Sequence, residues 1–148
     1  MIHQNYQYRR NDFNLCKNIK WSDVIKKIDH EYLNNSYKLL LSDNELPSFV
    51  LHNNYYPETL QLAYSEVEQK YDIKNLHVYL SFAQKSSTFG RHCDTMDVII
   101  VQSIGRMIYE FDDGVHVIMN PGDSLFISKG VYHNPIVLEP RVSLSFSW

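Results

Sequence analysis

Two stretches of the sequence decide the fold: residues 92–106, HCDTMDVIIVQSIGR, and residues 121–133, PGDSLFISKGVYH. His92 and Asp94 are two residues apart, and on a β-strand such residues point to the same face. An imidazole and a carboxylate can therefore meet inside a barrel, where His133 on another strand supplies a third group. Two histidines and one carboxylate form a facial triad that leaves open positions on a non-haem Fe(II) ion. We predict a metal site at His92, Asp94 and His133.

The triplet His-x-Asp is weak evidence when it stands alone, since two polar residues at a strand end explain it equally well. The second stretch strengthens the prediction, because Gly122, Gly130 and His133 have the spacing of the second cupin motif, with Ser128 where proline is usual. Asp97 is the rival carboxylate. The two-residue spacing from His92 favours Asp94 instead.

Short strands separated by turn residues dominate the sequence from residue 76 onward. The turns carry glycine or proline, and Asp112-Asp113-Gly114 is typical of a tight turn. Strands without intervening helices indicate a closed barrel or jelly roll. The predicted strands are 77–84, 88–93, 97–102, 106–111, 115–119, 124–127, 133–138 and 141–146.

The first half of the chain predicts a mixture of helix and strand. Apolar spacing indicates helices at about 20–35, with Ser22 as the N-cap, and at about 57–71. Short strands are expected at 37–41 and 49–51. We expect one domain over 1–148, with a mixed part at about 1–75 and the barrel core at about 76–148.

Residues 98–101 are apolar at every position, so this strand is predicted to be covered on both faces. The barrel interior would cover one face, and an N-terminal helix or a second sheet would cover the other.

Composition excludes several classes of protein. The net charge is −3 and the basic residues are scattered, which does not indicate nucleic-acid binding. No apolar run has the length of a membrane span, and the first residues lack the apolar core of a signal peptide. Two cysteines are too few for a disulfide framework. We therefore expect a cytoplasmic protein without a membrane partner.

Residues 77–148 resemble the cupin-like, JmjC-type Fe(II)/2-oxoglutarate-dependent oxygenases, a superfamily that includes bacterial ribosomal-protein hydroxylases. The matching features are His-x-Asp at 92–94, Asp-Val at 97–98, Gln-x-x-Gly at 102–105 with a basic residue after it, and the block at 121–133. The resemblance implies a mainly β, double-stranded β-helix of the jelly-roll, cupin-like kind, with N-terminal helices buttressing the barrel. It also implies Fe(II) on the three predicted ligands and 2-oxoglutarate as co-substrate.

The resemblance fails at one position. The family commonly has Lys or Arg two residues after the glycine to hold the distal carboxylate of 2-oxoglutarate, and this chain has Met107. Arg106 is expected to face the opposite side of the strand. Arg141 and Ser143 resemble the Arg-x-Ser element of other 2-oxoglutarate oxygenases, where both residues hold that carboxylate. The alternative for Arg141 is an ion pair at the rim of the barrel.

Further candidates for contact with the co-substrate are Tyr79 and Thr88. Tyr79 shares a strand face with Ser81, and Thr88 is four residues before His92, on the same face if the strand is regular. Gln102 is expected to point inward, where a buried amide needs partners. Ordinary lining of a barrel is the alternative for Tyr79 and Ser81, and a co-substrate is one candidate partner for Gln102.

We predict an Fe(II)/2-oxoglutarate-dependent oxygenase, a hydroxylase of a protein side chain or a small molecule. The alternative is a metal-binding cupin of another class: an isomerase, a dioxygenase that does not use oxoglutarate, or a ligand-sensing module. Met107 keeps that alternative open. A metal-free barrel used only for interactions is the third interpretation. The substrate is unknown, and a homodimer is an open alternative because cupins often pair.

Overall fold

The computed structural model describes residues 5–148. Three helices and ten strands follow one another along this part of the chain. In chain order they are β1 (Tyr6–Arg9), α1 (Asn14–Lys17), α2 (Trp21–Leu33), β2 (Tyr37–Leu40), β3 (Ser48–Leu51), α3 (Glu58–Glu68), β4 (Asn75–Ser81), β5 (Val98–Ile104), β6 (Met107–Phe111), β7 (His116–Met119), β8 (Ser124–Ile127), β9 (His133–Val137) and β10 (Arg141–Ser147). No helix among the described residues is long and apolar enough to span a membrane.

The strands form two antiparallel sheets that face each other. The larger sheet has seven strands in the order β1-β8-β5-β10-β4-β3-β2, and the smaller has three in the order β7-β6-β9. Strands distant in sequence are neighbours in the larger sheet, which is the connectivity of a jelly roll rather than of simple hairpins. The predicted mainly β, jelly-roll architecture is confirmed. Its N-terminal helices pack on the outside of the larger sheet.

Strand β5 lies between two hydrophobic clusters, as its sequence predicted. Ile99 and Val101 pack outward against Phe13 and Cys16 from the N-terminal part and against residues of α3. The alternate residues of β5, Val98 and Ile100, belong to the cluster inside the barrel. Both faces are therefore buried, and the N-terminal part of the chain completes the core.

Helix α2 begins differently from the prediction. Lys20, not Ser22, is the N-cap, and its backbone N–H donates to the Asp23 carboxylate at 2.9 Å. The carboxylate at the third helical position satisfies a backbone donor there and favours the positive end of the helix. A buried ion pair between Lys27 and Glu31, 3.4 Å apart, then faces the segment that follows β3.

The predicted strand at 88–93 is wrong. This segment is irregular, and only His92 forms an isolated bridge. The Thr88 hydroxyl accepts the Gly90 N–H at 3.0 Å and donates to the carbonyl of Pro135 at 3.1 Å. Gly90 has φ +67°, a left-handed conformation that ends any regular strand. Strand β1 and the short helix α1 were not predicted.

The turn between β5 and β6 fits closely against the start of β10. Gly105 has φ +71°, and a Cβ at this position would overlap the backbone of Pro140. Glycine is therefore required both for the left-handed conformation and for the close approach. This contact fixes the position of Arg141, the next residue in the chain.

Candidate metal centre and pocket

The two predicted histidine ligands are paired through their backbones. The His92 N–H donates to the His133 carbonyl at 2.9 Å, and the His133 N–H donates to the His92 carbonyl at 2.8 Å. Their Nε2 atoms lie 3.8 Å and 3.6 Å from the two carboxylate oxygens of Asp94. The structure therefore brings the three predicted ligands together, although Asp94 follows the bridge and is not on a regular strand.

Backbone carbonyls orient both imidazoles toward Asp94. His92 Nδ1 lies 2.7 Å from the Gly90 carbonyl, and His133 Nδ1 lies 3.0 Å from that of Val131. A carbonyl only accepts, so Nδ1 carries the proton and Nε2 keeps its lone pair. Burial lowers the pKa of His133, which favours the neutral, ligating form at neutral pH.

The three donors fit a divalent transition metal. Ligand atoms of these types lie roughly 2.0–2.2 Å from a bound ion, so two of them at roughly 90–110° on one ion are roughly 2.8–3.6 Å apart. The observed separations of 3.6 Å and 3.8 Å are at or slightly beyond the long end of this range, and all three ligand atoms lie within 4.8 Å of one another. Two imidazoles and one carboxylate suit iron, manganese, nickel or zinc better than calcium. Asp97, the rival carboxylate, turns away and accepts the backbone N–H of Lys129 at 2.8 Å.

A pocket between the two sheets adjoins the three proposed ligands. One wall comes from the larger sheet, and the opposite wall comes from β6, β9 and the irregular segment before β5. Arg141, which is almost fully buried, lines its inner end. Besides the three proposed ligands, its lining residues are Leu40, Tyr79, Thr88, Phe89, Ile100, Tyr109, Pro135, Arg141 and Ser145.

Arg141 is a buried cation whose side-chain partners are neutral. It is 3% exposed; its Nε donates to Ser81 Oγ at 2.9 Å and its Nη1 donates to Ser143 Oγ at 3.1 Å. The Tyr79 ring centre lies 5.5 Å from the guanidinium carbon. No carboxylate within residues 5–148 forms an ion pair with it. The rim ion pair is therefore not what the described residues show.

The charged Arg141 and the neutral tyrosine hydroxyls at the inner end of the pocket favour an anionic ligand. Burial lowers the pKa of Arg141, but an arginine pKa starts so high that the group stays charged. Burial raises the pKa of the Tyr79 and Tyr109 hydroxyls, so both remain neutral donors at pH 7. A buried charge is ordinarily paired.

Ser143 holds Arg141 within a wider network. It accepts from the guanidinium and donates to Gln102 Oε1 at 2.8 Å. The Gln102 amide group donates to the carbonyls of Ile104 at 2.9 Å and Gly105 at 3.2 Å. Gln102 therefore points inward, as predicted, but protein groups satisfy it. Ser143 is placed to orient the guanidinium rather than to reach far into the pocket.

The structure also shows where Thr88, Met107 and Arg106 lie. Thr88 lines the pocket, but its hydroxyl is occupied by the loop contacts described above. Met107 is fully buried in the barrel core. Arg106 is exposed on the other side, 3.3 Å from Glu139. The inward position where the family places a cation is therefore apolar in this chain.

Sequence reasoning missed Tyr109 and Phe89. Tyr109 alternates with Met107 and Phe111 on β6, and this spacing was the available signal that it points inward. Phe89 lies in the irregular segment, where no periodicity reports direction. Its ring packs 5.6 Å from that of His92 and 6.2 Å from that of Tyr79, between centres.

Comparison with solved structures supports the fold. The Escherichia coli ribosomal oxygenase YcfD matches with a TM-score of 0.76 and 18% identity over 96% of this chain, and one structure of that enzyme contains cobalt and 2-oxoglutarate. A Pseudomonas putida prolyl-4-hydroxylase matches with a TM-score of 0.64 and 10% identity, covering 97% of this chain and 92% of that one.

This chain spans 47% of the YcfD chain. No protein-family model and no curated protein matches the sequence. At these identities the likeness shows the fold alone: the chain shares the antiparallel jelly-roll fold of these two enzymes, as the sequence predicted.

Proposed function

We propose that this chain is an Fe(II)/2-oxoglutarate-dependent oxygenase that hydroxylates a protein side chain or a small molecule. One observation carries the proposal: a buried cation with no anionic partner among the described residues, Arg141, lines the same pocket as His92, Asp94 and His133. A metal site alone is common to many cupins. A metal site next to a buried, unpaired guanidinium suits 2-oxoglutarate. One end of this molecule chelates a metal ion, and the distal carboxylate at the other end pairs with a cation.

The chain's own residues would prepare the metal centre. His92 and His133 would present Nε2 lone pairs, because both Nδ1 atoms are bound to backbone carbonyls. Asp94 would supply one carboxylate oxygen. The bridge between the two histidines holds them in place before any ion binds. When bound, iron and 2-oxoglutarate supply the oxidation of a C–H bond by dioxygen, with succinate and carbon dioxide as the other products.

The inner end of the pocket would hold the distal carboxylate of 2-oxoglutarate. Arg141 would bind it through a charge-assisted hydrogen bond. Ser143 and Ser81 would fix the guanidinium from behind. Tyr79 would cover the guanidinium face and offer its hydroxyl. Thr88 would contribute the shape of the wall, because its hydroxyl is already bonded.

Met107 is the observation that favours the second candidate, a metal-binding cupin of another class. The family position for the carboxylate partner is apolar here, so an active site without 2-oxoglutarate would also be consistent with Met107. The position of Arg141 supports the oxygenase instead, because β10 of the larger sheet brings a cation into the same pocket.

An anaerobic titration separates the two candidates. Fe(II) is added to the protein first and 2-oxoglutarate second, and the visible charge-transfer absorption of an iron-bound oxoacid is recorded. We expect the band in the wild-type protein and its loss at the same concentration in Arg141→Ala, with iron content unchanged. Succinate formation in air is the second readout. Iron binding without the band in the wild type would favour a cupin of another class.

A further inference from the structure

We propose that Lys38, His52 and His77 form a subsite at the mouth of the pocket that binds a carboxylate of the primary substrate. The inference rests on the proposed function, because it concerns the molecule that is oxidised at the metal. The proposed co-substrate site at Arg141 is a different place, at the inner end of the same pocket.

Alternation along β4 and the pairing with β10 both place His77 on the face of the sheet that lines the pocket. His77 is two residues before Tyr79, which lines the pocket, so both side chains point to the same face of β4. It also lies directly opposite Ser145 of β10, another lining residue, and opposite residues in an antiparallel pair share a face. The His52 ring meets the His77 ring edge to face, with 6.1 Å between centres.

Lys38 lies on the neighbouring edge strand, opposite Val50 of β3, and His52 follows Val50 by two residues. Lys38 is two residues before Leu40, a lining residue, so its side chain leaves β2 on the pocket side. Its Nζ lies 4.9 Å above the ring centre of Phe89, whose ring in turn packs against His92. The Phe89 ring therefore lies between the Lys38 ammonium group and the proposed metal ligand His92. Within residues 5–148 the ammonium group forms no ion pair.

The acidic groups nearby are already committed. Asp94 faces the proposed metal. Glu31 is buried and accepts the backbone N–H groups of His52 at 2.6 Å and Asn53 at 2.9 Å, while Lys27 neutralises it. Glu31 thus fixes the position of His52 without offering a carboxylate to the mouth.

The mouth therefore presents a cation and two imidazole donors. This chemistry attracts a carboxylate and repels a basic side chain. The carboxylate has two sources: an aspartate or glutamate side chain of a peptide, or a free small-molecule acid. Either source would place the C–H bond to be oxidised near the metal while its carboxylate stays at the mouth.

Nuclear magnetic resonance tests the subsite through binding. The protein is loaded with redox-inert Zn²⁺ and saturating 2-oxoglutarate, which fills the Arg141 site. Three probes are added separately: propionate, a capped pentapeptide with one central glutamate, and the same peptide with a central lysine. We expect the carboxylate probes to shift the signals of Lys38, His52 and His77, and the lysine peptide to leave them unchanged.

Variants make the test specific. Lys38→Gln should weaken binding of the carboxylate probes about tenfold, the effect of losing one charge-assisted contact of roughly 1.4 kcal/mol. Lys26→Gln, which removes an exposed lysine of α2, should change nothing. His77→Gln should weaken binding less than Lys38→Gln, because the amide still donates.

The outcomes distinguish the sources and the two proposals. Tighter binding of the glutamate peptide than of propionate supports a peptide substrate, and equal binding supports a small acid. No shift at the mouth, equal effects of Lys26→Gln and Lys38→Gln, or preference for the lysine peptide would overturn the subsite. If propionate shifts the signals of Lys38, His52 and His77 but 2-oxoglutarate does not shift the Arg141 side-chain signal, the oxygenase proposal fails instead.

Discussion

Replacing Arg141 by methionine should separate ligand binding from stability. The guanidinium is buried and its side-chain partners, Ser81 and Ser143, are neutral. Both serines keep a partner in the variant, because Ser81 remains bonded to Ser48 at 2.6 Å and Ser143 to Gln102 at 2.8 Å. No buried hydroxyl is orphaned, and an uncompensated buried charge is removed.

The free energy of unfolding of the ligand-free Arg141→Met protein should therefore lie within about 1 kcal/mol of the wild-type value, or slightly above it. Its affinity for 2-oxoglutarate should fall steeply, because a buried carboxylate without its charged partner costs roughly 2–5 kcal/mol. That range corresponds to about 30-fold to several-thousand-fold weaker binding. Arg141→Lys should recover part of the affinity, since an ammonium lacks the planar fork.

Thermal unfolding with and without 2-oxoglutarate measures both effects at once. In the wild type, ligand at 100 times its dissociation constant adds about 2.7 kcal/mol of stability, and in Arg141→Met the same concentration should add almost none. Isothermal titration with Mn²⁺ should give equal metal affinity for the two proteins.

Arg106→Met is the matched control, because Arg106 is exposed and paired with Glu139. The reverse result, with Arg106 essential for 2-oxoglutarate and Arg141 dispensable, would refute the placement of the co-substrate. Loss of metal binding together with 2-oxoglutarate binding in Arg141→Met would refute the separation of the two sites.

Four further predictions concern the metal and the fold. Asp94→Ala or His133→Ala should abolish binding of about one Fe(II), Mn(II) or Ni(II) per chain in equilibrium dialysis, whereas Asp97→Ala should largely retain it; full affinity in both ligand variants would contradict the site. Metal affinity should decline once the pH falls below the ordinary histidine pKa of about 6.5, because protons compete with the metal for His133 Nε2 and burial lowers the pKa of that imidazole; metal affinity that rises as the pH falls would contradict imidazole ligands. Gly105→Ala should destabilise the protein by about 2 kcal/mol or more in urea unfolding, since the left-handed backbone and the contact with Pro140 both oppose a Cβ; an unchanged midpoint would show that the turn adapts. Deletion of residues 1–35 should expose the outer face of β5 and cause aggregation in gel filtration; a monomeric, metal-binding truncation would show that this part is not required for the core.

The barrel and the proposed ligands were predictable because both depend on local patterns. Alternation and turn residues give strands, and two ligands two residues apart are close in any extended segment. The prediction of a strand at 88–93 was wrong because Thr88 and Gly90 form a bend stabilised by the Thr88 side chain, which strand alternation does not reveal. The three proposed ligands still meet without this strand, because the bridge between His92 and His133 holds the two segments together.

The mouth of the pocket was not predictable from sequence. Lys38 lies on β2, His52 directly follows β3 and His77 lies on β4, and these three strands are neighbours in the larger sheet. Nothing in the spacing of these residues indicates that they meet. Tyr109 shows the intermediate case: its direction was available from alternation on β6, but its nearness to Arg141 depends on how the two sheets face each other.

Because His92 and His133 pair through their backbones, metal binding at the proposed site should depend on the correct register of the two segments. Each histidine is the other's hydrogen-bonded neighbour, so a slip of one residue between the two segments would turn one imidazole out of the pocket. A misregistered chain would then keep only two of the three proposed ligands and should bind metal far more weakly. Metal retention during refolding should therefore count the molecules that have closed the barrel correctly, and metal loss should mark those that have not.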